Sequence, residues 1–347
     1  MVSTVLLTGG TGYIGRHVAS SLVGQNIRPV LLDNFSQSDP AALLELEACT
    51  KTAITCVTAD IRDTSRVART LQDYRIDAVI HLAALKSVTQ AEVNPTLYLE
   101  NNVAGTDALC EAMERVGLYK LIFSSTAAVY EHAGEPPHTE DDPIPQPTSV
   151  YAASKRAAEL NLTRRVKGNH PWHILCLRYF NPIGAHPSGL MGENPLSNHG
   201  GLQAAIAQTY LGAQSALSIY GNDHPTPDGS PLRDFLHIMD LAVAHSMALR
   251  ALEAYRGVHF LNVGLGQPHS VREVCQAFSA VSQPALPIIV GNNRPGDISV
   301  SYCRADNIRS ELGWSPKYSI TDAMQHLKDY LDHFSTVTGN TGVNHVQ

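Results

Sequence analysis

The chain is poor in cysteine, in basic charge and in long apolar runs, and each shortage closes a class of function. Its 347 residues hold six cysteines, at positions 49, 56, 110, 176, 275 and 303, and no two stand in a Cys-x-x-Cys pair. That scatter argues against zinc and redox motifs. It fits free thiols packed as small apolar groups in a reducing compartment, so no metal and a cytoplasmic location are expected. Lysine and arginine number 25 against 32 aspartates and glutamates, for a formal charge of −7. Without a basic excess there is little to displace counterions from a nucleic acid, and none is expected as a partner. No apolar stretch reaches the ~20 residues that span a bilayer, and no basic segment with a cleavable apolar run precedes the first strand. A membrane anchor and a secretory leader are therefore not expected. No repeat of fixed period is seen.

What is present is the composition of a globular protein with a large core, 44% apolar and 16% charged. Strand-like runs at 5–8, 29–33, 54–59, 78–82, 120–124 and 174–178 alternate with helical patterns at 15–24, 101–117 and 150–166. Such alternation predicts an α/β fold with a parallel sheet covered on both faces. Residues 135–148, rich in proline and acid, read as a loop. From 182 to 201 the texture turns to Gly, Pro and Asn, which marks entry into a second lobe. The expected organisation is a first domain over 1–181 with a later return of chain near 234–264, and a smaller mixed α/β domain mainly over 182–335. Residues 336–347 have little to pack and are expected to be a disordered tail.

Two motifs carry chemistry. Gly9-Gly10-Thr11-Gly12-Tyr13-Ile14-Gly15 directly follows Val5-Leu6-Leu7 and opens a helix. Glycines there permit the tight turn, the close approach of backbone to a pyrophosphate and the packing of helix on strand, while the helix N-terminus offers free N–H groups. Asp33 ends the second strand 21 residues beyond Gly12. A carboxylate there accepts bonds from ribose hydroxyls and repels a 2′-phosphate, which favours NAD over NADP. The first domain is thus expected to be a doubly wound, Rossmann-like, NAD-binding unit. Asp60-Ile61-Arg62, at the end of the third strand, is placed for an adenine contact. The second motif is Tyr151-Ala152-Ala153-Ser154-Lys155. Its tyrosine and lysine are four apart and share a helix face. A free phenol, with a pKa near 10, is a poor base at neutral pH; a neighbouring ammonium and a cationic nicotinamide ring are expected to lower it. Thr126, after the strand ending at Ser124, is placed to hold a substrate oxygen.

Further blocks run the length of the chain: His81-Leu82-Ala83-Ala84-Leu85-Lys86, Asn101-Asn102-Val103, Leu177-Arg178-Tyr179-Phe180-Asn181-Pro182, Gly184-Ala185-His186-Pro187-Ser188-Gly189, Tyr220-Gly221-Asn222-Asp223, Arg233-Asp234-Phe235 and Arg294-Pro295-Gly296-Asp297. With the two motifs they resemble the extended short-chain dehydrogenases/reductases, and within them the UDP-glucose (UDP-galactose) 4-epimerases, from Val5 to about Tyr330. The resemblance implies 4-epimerisation of UDP-hexoses through a 4-keto intermediate, with tightly held NAD and catalytic Tyr151, Lys155 and Thr126. It implies cofactor contacts at Gly9, Gly12, Tyr13, Ile14, Gly15, Asp33, Asn34, Asp60 and Ile61, then at Leu82, Ala83, Ala84, Lys86, Asn101, Ser124, Tyr151, Lys155 and Tyr179. UDP-sugar contacts are implied at Lys86, Thr126, Tyr151, Phe180, Asn181, Leu202, Tyr220, Arg233, Arg294, Asp297 and Ser301. Two helices per subunit, 101–117 and 150–166, would pair into a homodimer.

The chain departs from the family pattern in places. Gly200-Gly201 replaces the usual Asn-Asn before Leu202, which removes two side chains from a phosphate contact. Ser301 stands where a bulky tyrosine excludes 2-acetamido sugars, so UDP-GlcNAc and UDP-GalNAc are expected substrates beside UDP-Glc and UDP-Gal. Other nucleotide-sugar reactions of the family, epimerisation of uronates or pentoses and decarboxylation, remain alternatives. A 4,6-dehydratase would want an acid pair after the catalytic threonine, and here Ala127 and Ala128 follow Thr126. A non-catalytic NAD sensor is the reading from another class; it would not need Tyr151 and Lys155.

Overall fold

The computed structural model describes residues 2–167, 171–197, 200–293 and 297–340. Its strands are β1 (Thr4–Thr8), β2 (Arg28–Asp33), β3 (Thr55–Thr58), β4 (Ala78–His81), β5 (Lys120–Thr126), β6 (His173–Tyr179), β7 (Asn181–Ile183), β8 (Leu217–Tyr220), β9 (Leu232–Arg233), β10 (Phe235–His237), β11 (Gly257–Val263), β12 (His269–Ser270), β13 (Ile288–Gly291) and β14 (Val300–Ser301). Its helices are α1 (Tyr13–Val23), α2 (Ala42–Thr50), α3 (Thr64–Asp73), α4 (Val88–Val93), α5 (Pro95–Tyr98), α6 (Gly105–Arg115), α7 (Val150–Arg165), α8 (Leu202–Tyr210), α9 (Ile238–Ala251), α10 (Val271–Val281), α11 (Asp306–Leu312) and α12 (Ile320–Asn340).

Seven strands form one parallel sheet in the order β11-β6-β5-β4-β1-β2-β3. Strands buried on both faces need no polar alternation, which is why β1, β2 and β4 read as continuous apolar strings. Their side chains still sort by period two. Leu7, Leu31, Ile80, Ile122 and Leu175 face α1 and α9, whereas Leu6, Val30, Val79, Phe123 and Ile174 face α3, α6 and α7. After the second-lobe segments, β11 completes the sheet beside β6. Strand order reverses between β1 and β4, which opens a crevice at the strand C-termini where ligands of such sheets bind.

The second lobe has its own core of Ile183, Ile206, Ile219, Phe235, Phe278, Met324 and Leu327. Its sheets are small: β10 with β7, β13 with β8, and β12-β9-β14.

Two expectations need correction. The helix expected over 101–117 begins as a π-turn, Leu99–Ala104, before α6. The wider turn carries Asn102 inward, where its amide accepts from Leu85 N–H at 2.8 Å and donates to Leu85 O at 3.0 Å. The expected tail beyond 335 is helical as far as Asn340, because Phe334 packs on the second core and the Thr338 hydroxyl donates to Phe334 O at 2.8 Å. Residues 341–347 lie outside the described residues.

Candidate active site

A cleft of about 1220 Å³ follows the crevice from β2 to β6 and is walled opposite by the second lobe. At its centre lies the glycine loop. Gly9 turns with φ of +67° against Ala83; a Cβ there would meet Ala83 N at 2.7 Å. A Cβ on Gly15 would meet Gly9 O at 2.4 Å. The loop therefore has no room for side chains, and its backbone faces the cleft bare. Helix α1 starts after Gly12 with no side-chain cap and no acid in its first turn. Unbonded N–H groups and the positive end of the helix dipole are thus left for an anion, so the residues fit a dinucleotide pyrophosphate.

Asp33 stands at the end of β2, where it accepts from Thr11 N–H at 3.1 Å and Ser38 Oγ at 3.3 Å. It lines the cleft with Asn34 and Ile61. Asp60 does not reach the wall. Its carboxylate is gripped by Arg62 at 2.8 and 2.9 Å, which holds its pKa down at about 2, and it also takes Asn34 Nδ2 at 3.1 Å. Leu82, Ala83, Ala84, Lys86 and Asn101 line the cleft after β4. The backbone of Leu85 in that segment is pinned by Asn102.

Beyond β4 the cleft meets the proton-transfer pair. Ser149 caps α7, accepting from Ala152 N–H at 3.3 Å, and so sets where the helix begins and where Tyr151 points. The Thr126 hydroxyl, at the end of β5, stands close enough to the Tyr151 phenol to pull its pKa down; the hydrogen bond it makes is the one it accepts from Ala128 N–H at 3.2 Å. The Lys155 ammonium donates to Ser124 O at 2.7 Å and lies 4.9 Å over the Phe123 ring. The Ser124 hydroxyl bonds the Tyr179 phenol from β6. From the protein's own groups, burial raises the Tyr151 pKa, and the nearby Thr126 hydroxyl offsets this only in part. The lysine is the group that shifts down, to about 8, because burial disfavours the ammonium; the Glu159 carboxylate opposes that shift. The lysine charge is directed at the Ser124 carbonyl, so on its own it does little for the phenol.

On the second-lobe side, Phe180, Asn181 and Leu202 line the cleft. A hydrogen-bonded chain that sequence reading missed crosses here. Lys86 Nζ pairs with Glu193 at 2.7 Å, Gln203 Nε2 donates to Glu193 at 3.3 Å, Gln203 Oε1 accepts from Gly184 N–H at 2.5 Å, and Tyr13 OH donates to Gly184 O at 2.7 Å. Lys86 is half exposed, so its ion pair contributes ~0–1 kcal/mol and marks proximity rather than strength. Only the third dimension joins Glu193 to Lys86, 107 residues away; no spacing in the sequence signals it. The same holds for Phe334 and Val337 of α12, which wall the far end.

The structure does not bring Tyr220, Arg233, Asp297 or Ser301 to this wall. Tyr220 ends β8 and is 40% exposed. Arg233 Nη2 donates to Asp297 at 2.6 Å, and Ser301 pairs with Arg233 between β14 and β9. Tyr220, Arg233 and Ser301 sit on the small sheets of the second lobe, and Asp297, in the segment before β14, is held beside Arg233 by their ion pair; none of the four lines the cleft. Arg294 lies outside the described residues. Among the described residues no group of His, Cys, Asp and Glu could hold a metal ion, and no helix is long and apolar enough to cross a membrane.

A glycine-cradled crevice on a doubly wound sheet, with tyrosine, lysine and threonine at one end, defines a nucleotide-dependent oxidoreductase-type fold. The model of the NAD dependent epimerase/dehydratase family matches residues 5–264, and the chain belongs to that family. Similar proteins include the UDP-glucose 4-epimerase of Neisseria gonorrhoeae, 41% identical over 322 residues that cover 93% of this chain and 95% of that one. A crystal structure of UDP-glucose-4-epimerase from Stenotrophomonas maltophila with bound NAD and formylated UDP-arabinopyranose superposes with a TM-score of 0.93 at 37% identity, covering 97% of this chain and 100% of that one. That of UDP-glucose 4-epimerase from Bifidobacterium longum in complex with NAD+ and UDP gives a TM-score of 0.91 at 35% identity, covering 97% and 99%.

Proposed function

We propose that this chain is a UDP-hexose 4-epimerase that interconverts UDP-glucose and UDP-galactose. The observation that carries the reading is the meeting of Tyr151, Lys155 and Thr126 in the same cleft as the glycine cradle. NAD, when bound, takes a hydride from the sugar C4 and returns it to the other face of a 4-keto intermediate. The chain does the rest. Backbone N–H groups of the glycine loop hold the pyrophosphate, Asp33 and Asn34 the adenosine side, and Ile61 the adenine edge. Thr126 holds the 4-hydroxyl, and Tyr151 removes its proton and later gives it back. Lys155, as an ammonium, favours the phenolate once a cationic ring lies over it. Phe180, Asn181 and Leu202 border the sugar end. A firm hold on the nucleotide and a loose one on the sugar permit the ring to turn. Arg233 and Arg294 suit the diphosphate, since guanidinium forks match phosphate oxygens; Tyr220 suits the uracil. For Arg233 this requires release from Asp297.

Absence of an acid pair after Thr126 disfavours 4,6-dehydration. By resemblance Ser301 stands where a bulky tyrosine would exclude a 2-acetamido group, so UDP-GalNAc is a proposed second substrate; this requires β14 to approach the cleft, and relief of a clash does not by itself create binding energy. Turnover of UDP-GalNAc beside UDP-galactose decides this; no detectable conversion ends it. A homodimer is proposed through the helices of 101–117 and 150–166. Val93, Leu97, Leu99 and Leu160 are exposed beside them, and sedimentation at the monomer mass would refute it. A cytoplasmic location is proposed from six free thiols. The main reading is tested by incubating purified protein with UDP-glucose, UDP-galactose and their N-acetyl counterparts without added NAD. Tyr151→Phe should abolish conversion; full activity in that variant would remove Tyr151 from its role.

A further inference from the structure

Beneath the proton-transfer residues lies a buried polar network that the reaction itself does not use. Glu159, one turn after Lys155 on α7, is fully buried, and Arg178 on β6 is nearly so. Arg178 clasps the carboxylate with Nε at 2.8 Å and Nη2 at 2.9 Å. Ser125 Oγ donates to it at 2.6 Å and Arg156 Nη1 at 3.1 Å. Ser125 and Arg178 are register partners across β5 and β6. They meet the carboxylate from two strands at one rung. The residues on either side of Ser125 are Ser124, whose carbonyl receives the Lys155 ammonium at 2.7 Å, and Thr126, whose hydroxyl stands near the Tyr151 phenol. Arg178 is itself anchored, by Nη1 to Tyr130 OH at 3.1 Å and by stacking 4.2 Å over Phe260.

The inward face of α7 explains why such a lock is useful. Its buried residues are Ala152, Ser154, Lys155, Ala158, Glu159 and Leu162. Leu162 is the one large apolar side chain among them, so ridges and grooves fix the helix poorly along its axis. A buried ion pair adds little net stability, because desolvation offsets its attraction, but it can set register.

We propose that Glu159 is a positioning residue: held by Arg178 and Ser125, it fixes α7 along β5 and β6 and so places Tyr151 and Lys155 against Thr126 and Ser124. The proposal rests on the proton-transfer reading given above. It is tested on full-length protein carrying its NAD, with Ser125→Ala, Glu159→Gln and a paired Glu159→Leu, Arg178→Leu variant. Hydrogen–deuterium exchange of residues 150–156 should rise in each while exchange over α1 and β1 stays as in the parent. kcat should fall about tenfold for Ser125→Ala and about a hundredfold for Glu159→Gln, the scale of ångström misplacement, with KM and bound NAD held within about twofold. The paired variant should melt near the parent yet remain slow, which separates register from stability. Should Glu159→Gln fail to fold, the other two variants decide. Unchanged exchange over 150–156 together with unchanged kcat overturns the proposal. If the parent protein converts no UDP-hexose, the functional reading fails, and the exchange measurement alone decides the register.

Discussion

On one side of the cleft, β1, β2, β4, β5 and β6 end together at the edge of a single sheet whose strands are buried on both faces. On the other side, the second lobe offers loops and strands of two to four residues from segments far apart in the chain. The first wall is over-determined. Gly9 and Gly15 have no room for a Cβ, Asn102 pins Leu85, and Glu159 is gripped from two strands. The second is tied across the cleft by Lys86–Glu193 and Tyr13–Gly184, but among the described residues Gly200 and Gly201 have nothing within 4 Å of where a Cβ would stand. A rigid wall suits a cofactor that stays and a proton that moves a short distance. A wall with open backbone at Gly200 and Gly201 suits a sugar that must turn.

Substitutions can break or sharpen this contrast. The largest effect belongs to the rigid wall: Tyr151→Phe should lower kcat by about 10³-fold or more while NAD remains bound, because the phenol is the only proton carrier assigned. Single-turnover assays and absorbance of retained cofactor measure both. Next, Gly15→Ala should strip NAD and destabilise the fold by ~1–3 kcal/mol, since its Cβ has only backbone to displace. Gly201→Ala, at φ of +96° in open space, should cost only local backbone strain and retain NAD. Equal cofactor loss in both would erase the contrast.

Lysine titration gives a third test. Lys155 loses its proton near pH 8 rather than near 10.5, so kcat should decline as pH rises through about 8. Stability should run the other way for the protein without NAD. Between about 8 and 10.5 the unfolded chain binds the proton that the folded one has lost, so this group makes the fold more stable as pH rises through that window. Melting of the parent against Lys155→Met over that range measures the term. The smallest effect is expected from Asp297→Asn, which frees Arg233 from a pair outside the cleft wall. KM for UDP-galactose should change by no more than about fivefold, the scale of a partly exposed ion pair.

The same contrast governs what could be read from sequence. Gly9–Gly15, Asp33 and Thr126 were readable because each sits at a strand end where local turn geometry dictates the residue type, and Tyr151 and Lys155 because a four-residue spacing puts them on one helix face. Glu193, Gln203 and the end of α12 were not: Glu193 meets Lys86 107 residues away, Gln203 joins through Gly184, which Tyr13 bonds from 171 residues away, and α12 comes from the far end of the chain. Tyr220, Arg233, Asp297 and Ser301 came from resemblance, and the structure holds Tyr220, Arg233 and Ser301 on small sheets, and Asp297 in the segment before β14, rather than in the cleft wall. The aim of the lysine was hidden for another reason. Four-residue spacing puts Lys155 on the right face of α7, but it does not say that the ammonium bonds Ser124 O. The π-turn at Leu99–Ala104 was also hidden, because its cause, the inward amide of Asn102, lies in a partner 17 residues back.

The most direct measurement is to mix the purified protein with UDP-galactose alone and to separate the products. Formation of UDP-glucose without added coenzyme, lost in Tyr151→Phe, is the predicted result. A sugar nucleotide recovered unchanged, even after NAD is supplied, would contradict the account.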